Sequence, residues 1–186
     1  MNNPAFPLVS VHRHPAWIVL MATLTAVGGM IAIPVTPLSP VPITLQTLFV
    51  LLAGLILGPR DGALAMLLYL LAGILGLPVF AGGKAGLAAL MGPTGGFLTG
   101  FVPAAMFCGL ARRDPARSFP VLLGYCLLAT ALTLLPGTIQ LSVVLKISIA
   151  KAFAVGSLPF LPGALLKSAG AAFIYRFLVS RKLIPI

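Results

Sequence analysis

Acid is almost absent from this chain. Among 186 residues only Asp61 and Asp114 are acidic, and both fall in short segments between apolar blocks. The two histidines, His12 and His14, precede the first apolar block. No apolar block therefore holds a carboxylate or an imidazole, the usual intramembrane acids, bases and metal ligands. This argues against a membrane-embedded hydrolase and against a proton-coupled carrier with an Asp, Glu or His relay. An enzyme would have to rest on Ser, Tyr or Lys alone, so neither catalysis nor a resident metal or cofactor is expected. Cysteine is as scarce: Cys108 and Cys126 lie inside apolar segments and read as small buried hydrophobes rather than a disulfide or metal pair. Charge of either sign makes up 8% of the chain, against about a quarter in soluble domains.

What fills the chain instead is hydrocarbon, at 60% hydrophobic residues and a mean hydropathy of +1.14. The composition is that of a polytopic, all-α membrane protein in one compact domain. The formal charge of +10 does not point to nucleic acid, because the Lys and Arg residues stand between apolar blocks and form no basic face. No A-x-A-like site follows the first block, which is expected to remain as a span. The segment "PVTPLSPVP" (34–42) divides a run too long for one helix, since its prolines cannot continue one. Six spans result, near 16–33, 43–58, 62–80, 95–111, 120–145 and 156–180, with a short interfacial helix around 146–155. Residues 1–15 and 181–186 are read as tails on one side of the 16–180 membrane domain. That side carries Arg13, Arg60, Arg112, Arg113, Arg117, Arg176, Arg181 and Lys182, whereas the other has Lys84, Lys146 and Lys151. The positive-inside rule then makes both termini cytoplasmic.

The outer connections are too apolar for hydrophilic linkers. In "AGGKAGLAALMGPTG" (81–95), Gly82, Gly83, Gly86, Gly92 and Gly95 allow a backbone to approach a ligand closely. Irregular backbone at membrane depth needs partners from protein or a wet cavity. A folded cap over a pocket open to the outside satisfies that, and tight interhelical turns are the plainer alternative. Thr44, Gln46 and Thr47 lie at the outer end of the second span. A glutamine there can donate to and accept from a ligand amide or ureide, or Thr44 and Gln46 merely cap the helix. Thr94 in "GPTGG" is a helix N-cap candidate. Lys167 is the sharper anomaly: an unpaired charge at a helix centre costs at least ~2.5–3.5 kcal/mol. It must face a wet cavity or a partner, or else snorkel to an interface. With Lys84, which is otherwise a solvated loop charge, it suggests an anionic ligand such as a carboxylate. Ala22 and Ala26 put small residues four apart on the first helix, a face for close approach to another helix or another subunit, a second copy included.

The ordered blocks "VPITLQ" (41–46), "LGPRDG" (57–62), "GLPVFAGG" (76–83), "GPTGG" (92–96) and "LPFLPGALLK" (158–167) together closely resemble the BioY family. Its members are the substrate-specific components of energy-coupling-factor biotin transporters. The resemblance runs through the whole chain in segment order. It implies a six-helix bundle in the bacterial cytoplasmic membrane, with a biotin pocket near the outer face under capping loops. It also implies a transmembrane coupling protein and cytoplasmic ATPase subunits as partners, although some relatives act without them. The chain has no G-x-x-x-x-G-K-[ST] loop of its own, so ATP would be used elsewhere. Ala22 and Ala26 become the candidates for the coupling-protein contact. The implied pocket takes Thr44 and Gln46, then Phe80, Gly82, Gly83 and Lys84, with Gly95 and Gly96, Gln140 and Lys167. This chain departs from the family pattern in having Ala164 where an aspartate is expected one turn before Lys167. It also has Lys84 where relatives often carry Asn, and Gln140 where a tryptophan is common. Either Gln46, Gln140 or Ser168 takes over the ureido contact, or the ligand has shifted to a biotin-like or precursor carboxylate, or the fold survives as a membrane scaffold without a ligand.

Overall fold

The computed structural model describes residues 15–35, 37–113 and 118–184. The chain is mostly helical, with α1 (Pro15–Met30), α2 (Gln46–Leu57), α3 (Pro59–Ile74), α4 (Leu87–Met91), α5 (Gly95–Gly109), α6 (Phe119–Leu145), α7 (Ile149–Gly156) and α8 (Leu161–Ser180). Among the described residues three helical runs are long and apolar enough to cross a membrane: Gly95–Arg112, Phe119–Leu145 and Ile149–Ser180. Pro15–Met30 and Gln46–Leu57 are shorter apolar helices.

The helix ends follow local chemistry. Proline disfavours helical backbone in the residue before it, and Ile33, which precedes Pro34, lies in β1 (Ala32–Ile33), paired antiparallel with β2 (Ile43–Thr44). The first two expected spans are therefore each about a turn too long at this connection, because the ladder takes residues assigned to helix. The third stops at Ile74 rather than 80, where Gly76 takes φ +102 and Pro78 follows. At the far end of α6, Lys146 adopts the left-handed conformation at φ 52 and its N–H bonds to the Val143 carbonyl. Ser148 then caps α7, accepting from the Lys151 N–H at 3.3 Å. That helix covers the region expected at 146–155.

α2 is the centre of the packing. From Val50 to Leu57 every residue is buried, and the helix touches α1, α3, α5 and α8. A helix apolar all round belongs inside a bundle. Lipid tails remove the hydrophobic drive between helices, so association depends on close packing and on hydrogen bonds. Gly54 shows the closeness: a Cβ there would collide with the Ala105 carbonyl oxygen of α5. α6 and α8, by contrast, present large exposed apolar side chains such as Leu128, Val143, Leu166 and Phe173, a surface suited to acyl chains. Cys108 and Cys126 are fully buried free thiols with Sγ atoms 3.8 Å apart.

Candidate ligand-binding site

A string of side-chain hydrogen bonds fixes one wall of the site. The Thr44 hydroxyl donates to Gln46 Oε1 at 3.0 Å, Gln46 Nε2 donates to the Tyr69 oxygen, and that hydroxyl donates to the Val79 carbonyl at 3.2 Å. Three separate segments are tied by this relay: β2 with the start of α2, the middle of α3, and the turn before the glycine loop. Gln46 is 3% exposed, and a buried amide without partners would be costly. Room for it comes from α1. A Cβ on Gly29 would stand 2.7 Å from Gln46 Nε2, so the small residue is a condition of the relay. Phe80 closes the same wall with its ring edge-on to Tyr69, centroids 5.7 Å apart.

Beside this wall lies a mainly apolar cavity with an internal volume of about 70 Å³. The β1–β2 connection, the glycine loop, α5, α6 and α8 all contribute to its lining. Gly82 and Gly83, at φ +72 and +73, turn the chain so that the Phe80 N–H bonds to the Lys84 carbonyl at 3.0 Å. That turn sets Lys84, exposed, into the wall. From the opposite side Lys167 enters from α8 and donates from Nζ to the Thr44 carbonyl at 3.1 Å. One contact to a neutral carbonyl leaves donor capacity on the ammonium. Among the described residues none lining the cavity is acidic, and no group of side chains there is arranged to hold a metal ion.

The hydroxyls on the wall differ in what they can offer. Thr130 donates to the Cys126 carbonyl at 2.8 Å and contacts Ser168 Oγ at 3.3 Å. Thr133 reaches back to the Ala129 carbonyl at 3.5 Å. Thr47, in the first turn of α2 and three residues after Thr44, has a buried Oγ1 with no hydrogen-bond partner among the described residues. Leaving such a group dry costs about 1–3 kcal/mol.

Of the residues expected at the site, the structure brings Thr44, Gln46, Phe80, Lys84 and Lys167 together around one cavity, with Ala164 beside them. Gly82 and Gly83 shape the loop but are not in the lining. Gly95, Gly96 and Gln140 stand outside the lining. Gln140 Nε2 donates to the Leu90 and Gly92 carbonyls at 2.6 and 2.8 Å, so its amide tethers the α4 segment rather than facing the cavity. A side chain on Gly95 would strike the Leu90 carbonyl, and one on Gly96 the Pro136 carbonyl; both serve helix and loop packing. Ser168 is fully buried against Thr130 and is not in the lining. Ala22 and Ala26 are also buried, in the chain's own core, so here the small face of α1 meets helices of the same chain. Sequence reading passed over Phe97, Phe101, Thr130 and Thr133, which line the cavity. Their helical spacing on α5 and α6 was a weak signal, because aromatic and threonine residues at that period are equally at home in a packed interface.

The chain and its fold have known relatives. The family model described as the BioY family matches residues 2–183. The chain belongs to the BioY family. Among its relatives, the probable biotin transporter BioY of Pyrococcus horikoshii is 40% identical over 157 residues, covering 84% of this chain and 90% of that protein. The biotin transporter BioY of Rhodobacter capsulatus is 40% identical over 179 residues, covering 89% and 93%. A crystal structure described as the S-component for biotin from an ECF-type ABC transporter superposes with a TM-score of 0.83 at 26% identity, over 92% of this chain and 95% of that one. The BioY fold is thus reproduced nearly end to end.

Proposed function

We propose that this protein is the biotin-binding subunit of an energy-coupling-factor uptake system, with the ligand seated in the cavity between Lys84 and Lys167. One observation carries the reading: an apolar cavity with two lysines and no acid among its described lining residues, in a chain of the BioY family. Biotin combines a rigid apolar ring system, a ureido group and a carboxylate, and it fits an apolar wall with cationic and hydroxyl groups at chosen points. In this reading six helices (α1, α2, α3, α5, α6 and α8) cross the bacterial cytoplasmic membrane. The arginine-rich connections and both termini are cytoplasmic, and the cavity opens outward beneath the β1–β2 connection and the glycine loop. The subunit is not an enzyme. It works with a coupling protein, and ATP is hydrolysed on separate ATPase subunits.

The test is equilibrium binding of labelled biotin to the purified protein and to an Ala164→Asp variant. Ala164 lies in the cavity wall three residues before Lys167, so an acid there stands one helical turn from the ammonium. Saturable binding is expected in the unaltered protein and tighter binding in the variant. No saturable binding in either protein would overturn the biotin assignment. The absence of that acid favours one alternative, a biotin-like precursor carboxylate, which competition with such compounds separates from biotin itself.

A further inference from the structure

We infer that Thr47 is a specificity-determining residue whose hydroxyl takes a hydrogen bond from, or gives one to, the uncharged polar ring of the ligand. The inference rests on the biotin-binding reading and extends it to a residue and a ligand end. It starts from how the wall hydroxyls are engaged. Thr44 is bonded to Gln46, and Thr130 to Cys126 and Ser168. Thr133 has its own helix carbonyl. Thr47 lines the same cavity, yet its buried Oγ1 has no partner among the described residues. Buried polar groups are paired in the great majority of cases, and an exception at a cavity wall is explained when a ligand supplies the bond. A threonine in a helix commonly returns its hydroxyl to a carbonyl one turn back. Here no such bond forms, and Thr47 stands in the first turn of α2.

The charge pattern assigns the ligand end. Lys84 is exposed in the glycine loop, where an anionic tail can be met at little desolvation. Thr47, in the first turn of α2, shares the cavity lining with Phe97 and Phe101 of α5. An apolar ring with a neutral polar edge suits that surrounding, and a carboxylate does not. A hydroxyl is both donor and acceptor, so it can meet either the carbonyl or an N–H of a cyclic urea.

The experiment measures binding of biotin and of biotin methyl ester to the unaltered protein, Thr47→Val, Thr47→Ser and Lys84→Gln, with thermal melting of each ligand-free protein. Thr47→Val is expected to weaken both ligands about five- to tenfold, the size of one neutral hydrogen bond. Thr47→Ser is expected to stay within about twofold, because it keeps the hydroxyl. Lys84→Gln should weaken biotin and leave the ester unchanged. Ligand-free Thr47→Val should melt no lower than the unaltered protein, since an unpaired hydroxyl is being removed. A Thr47→Val protein that binds biotin normally overturns the inference, and so does one that melts lower or fails to fold, which would make the hydroxyl structural. A penalty confined to biotin and absent with the ester also overturns it, by moving the contact to the carboxylate. Failure of the unaltered protein to bind biotin would instead remove the functional reading beneath it.

Discussion

The two ends of the α2–α5 contact are built on opposite principles. Toward the end of α2, Gly54 meets Ala105, Cys108 and Gly109, all buried, and the two helices approach closely enough that no side chain fits at Gly54. Toward the start of α2, Gln46 and Thr47 face Phe97, Leu98 and Phe101 across a cavity. The difference teaches what holds a membrane bundle. Without a hydrophobic drive between helices, one end is secured by dispersion between small residues in close contact. At the other end rings of α5 line the cavity, and the start of α2 is held instead to α3 and the turn before the glycine loop, by hydrogen bonds among Thr44, Gln46, Tyr69 and Val79. A site therefore forms where small residues give way to polar and aromatic ones along the same pair of helices.

The largest effect is expected at the packed end. Gly54→Leu puts a side chain onto the Ala105 carbonyl, and overpacking of this kind should destabilise the fold by about 3 kcal/mol, seen as a lower melting temperature in detergent. An unshifted melt would mean that this end is not close-packed. At the open end, Lys167→Met should weaken binding of biotin roughly ten- to a hundredfold, the size of a lost charge-assisted hydrogen bond, while leaving the melt nearly unchanged. Equal affinity would put the ammonium at an interface instead of at the ligand. Tyr69→Phe removes the group shared by Gln46 and Val79 and should cost about 1–3 kcal/mol of stability. A neutral outcome would show that the relay is not what secures the open end. Gln140→Leu frees the Leu90 and Gly92 carbonyls and should act least, raising the ligand's dissociation rate by a few-fold as the α4 segment loosens. Stopped-flow release of a labelled ligand would register it, and an unchanged rate would separate that segment from the site.

Much of the architecture was readable in the residues. Uncharged runs bounded by single Arg and Lys residues located the helical segments, and the prolines and glycines located the breaks, because lipid tolerates few departures from helix. The ends of those segments were less legible. Nothing in "AIPVTPLSPVPIT" announces that Ala32–Ile33 would pair with Ile43–Thr44, since pairing depends on the two arms being brought together. At the site, Lys167 was conspicuous because a charge in an apolar run is expensive. Gln140 was conspicuous too, as a polar residue in a helix, but its amide serves two loop carbonyls. Polarity in a span signals a partner without saying which. Thr47 was visible beside Gln46, and only its lack of a partner distinguishes it from Thr130.

The residues alone made this a helical membrane protein of the BioY pattern with a cationic, acid-poor binding region, because hydropathy, charge and chain breaks are local properties. Which polar groups face the cavity and which are already used by the protein depended on the folded chain. Gln46 and Gln140 have the same amide, yet one lies in the cavity wall tied to Tyr69 and the other tethers a loop. That division follows from where helices cross and which donors find acceptors first, a relation between residues far apart in the chain and close in space.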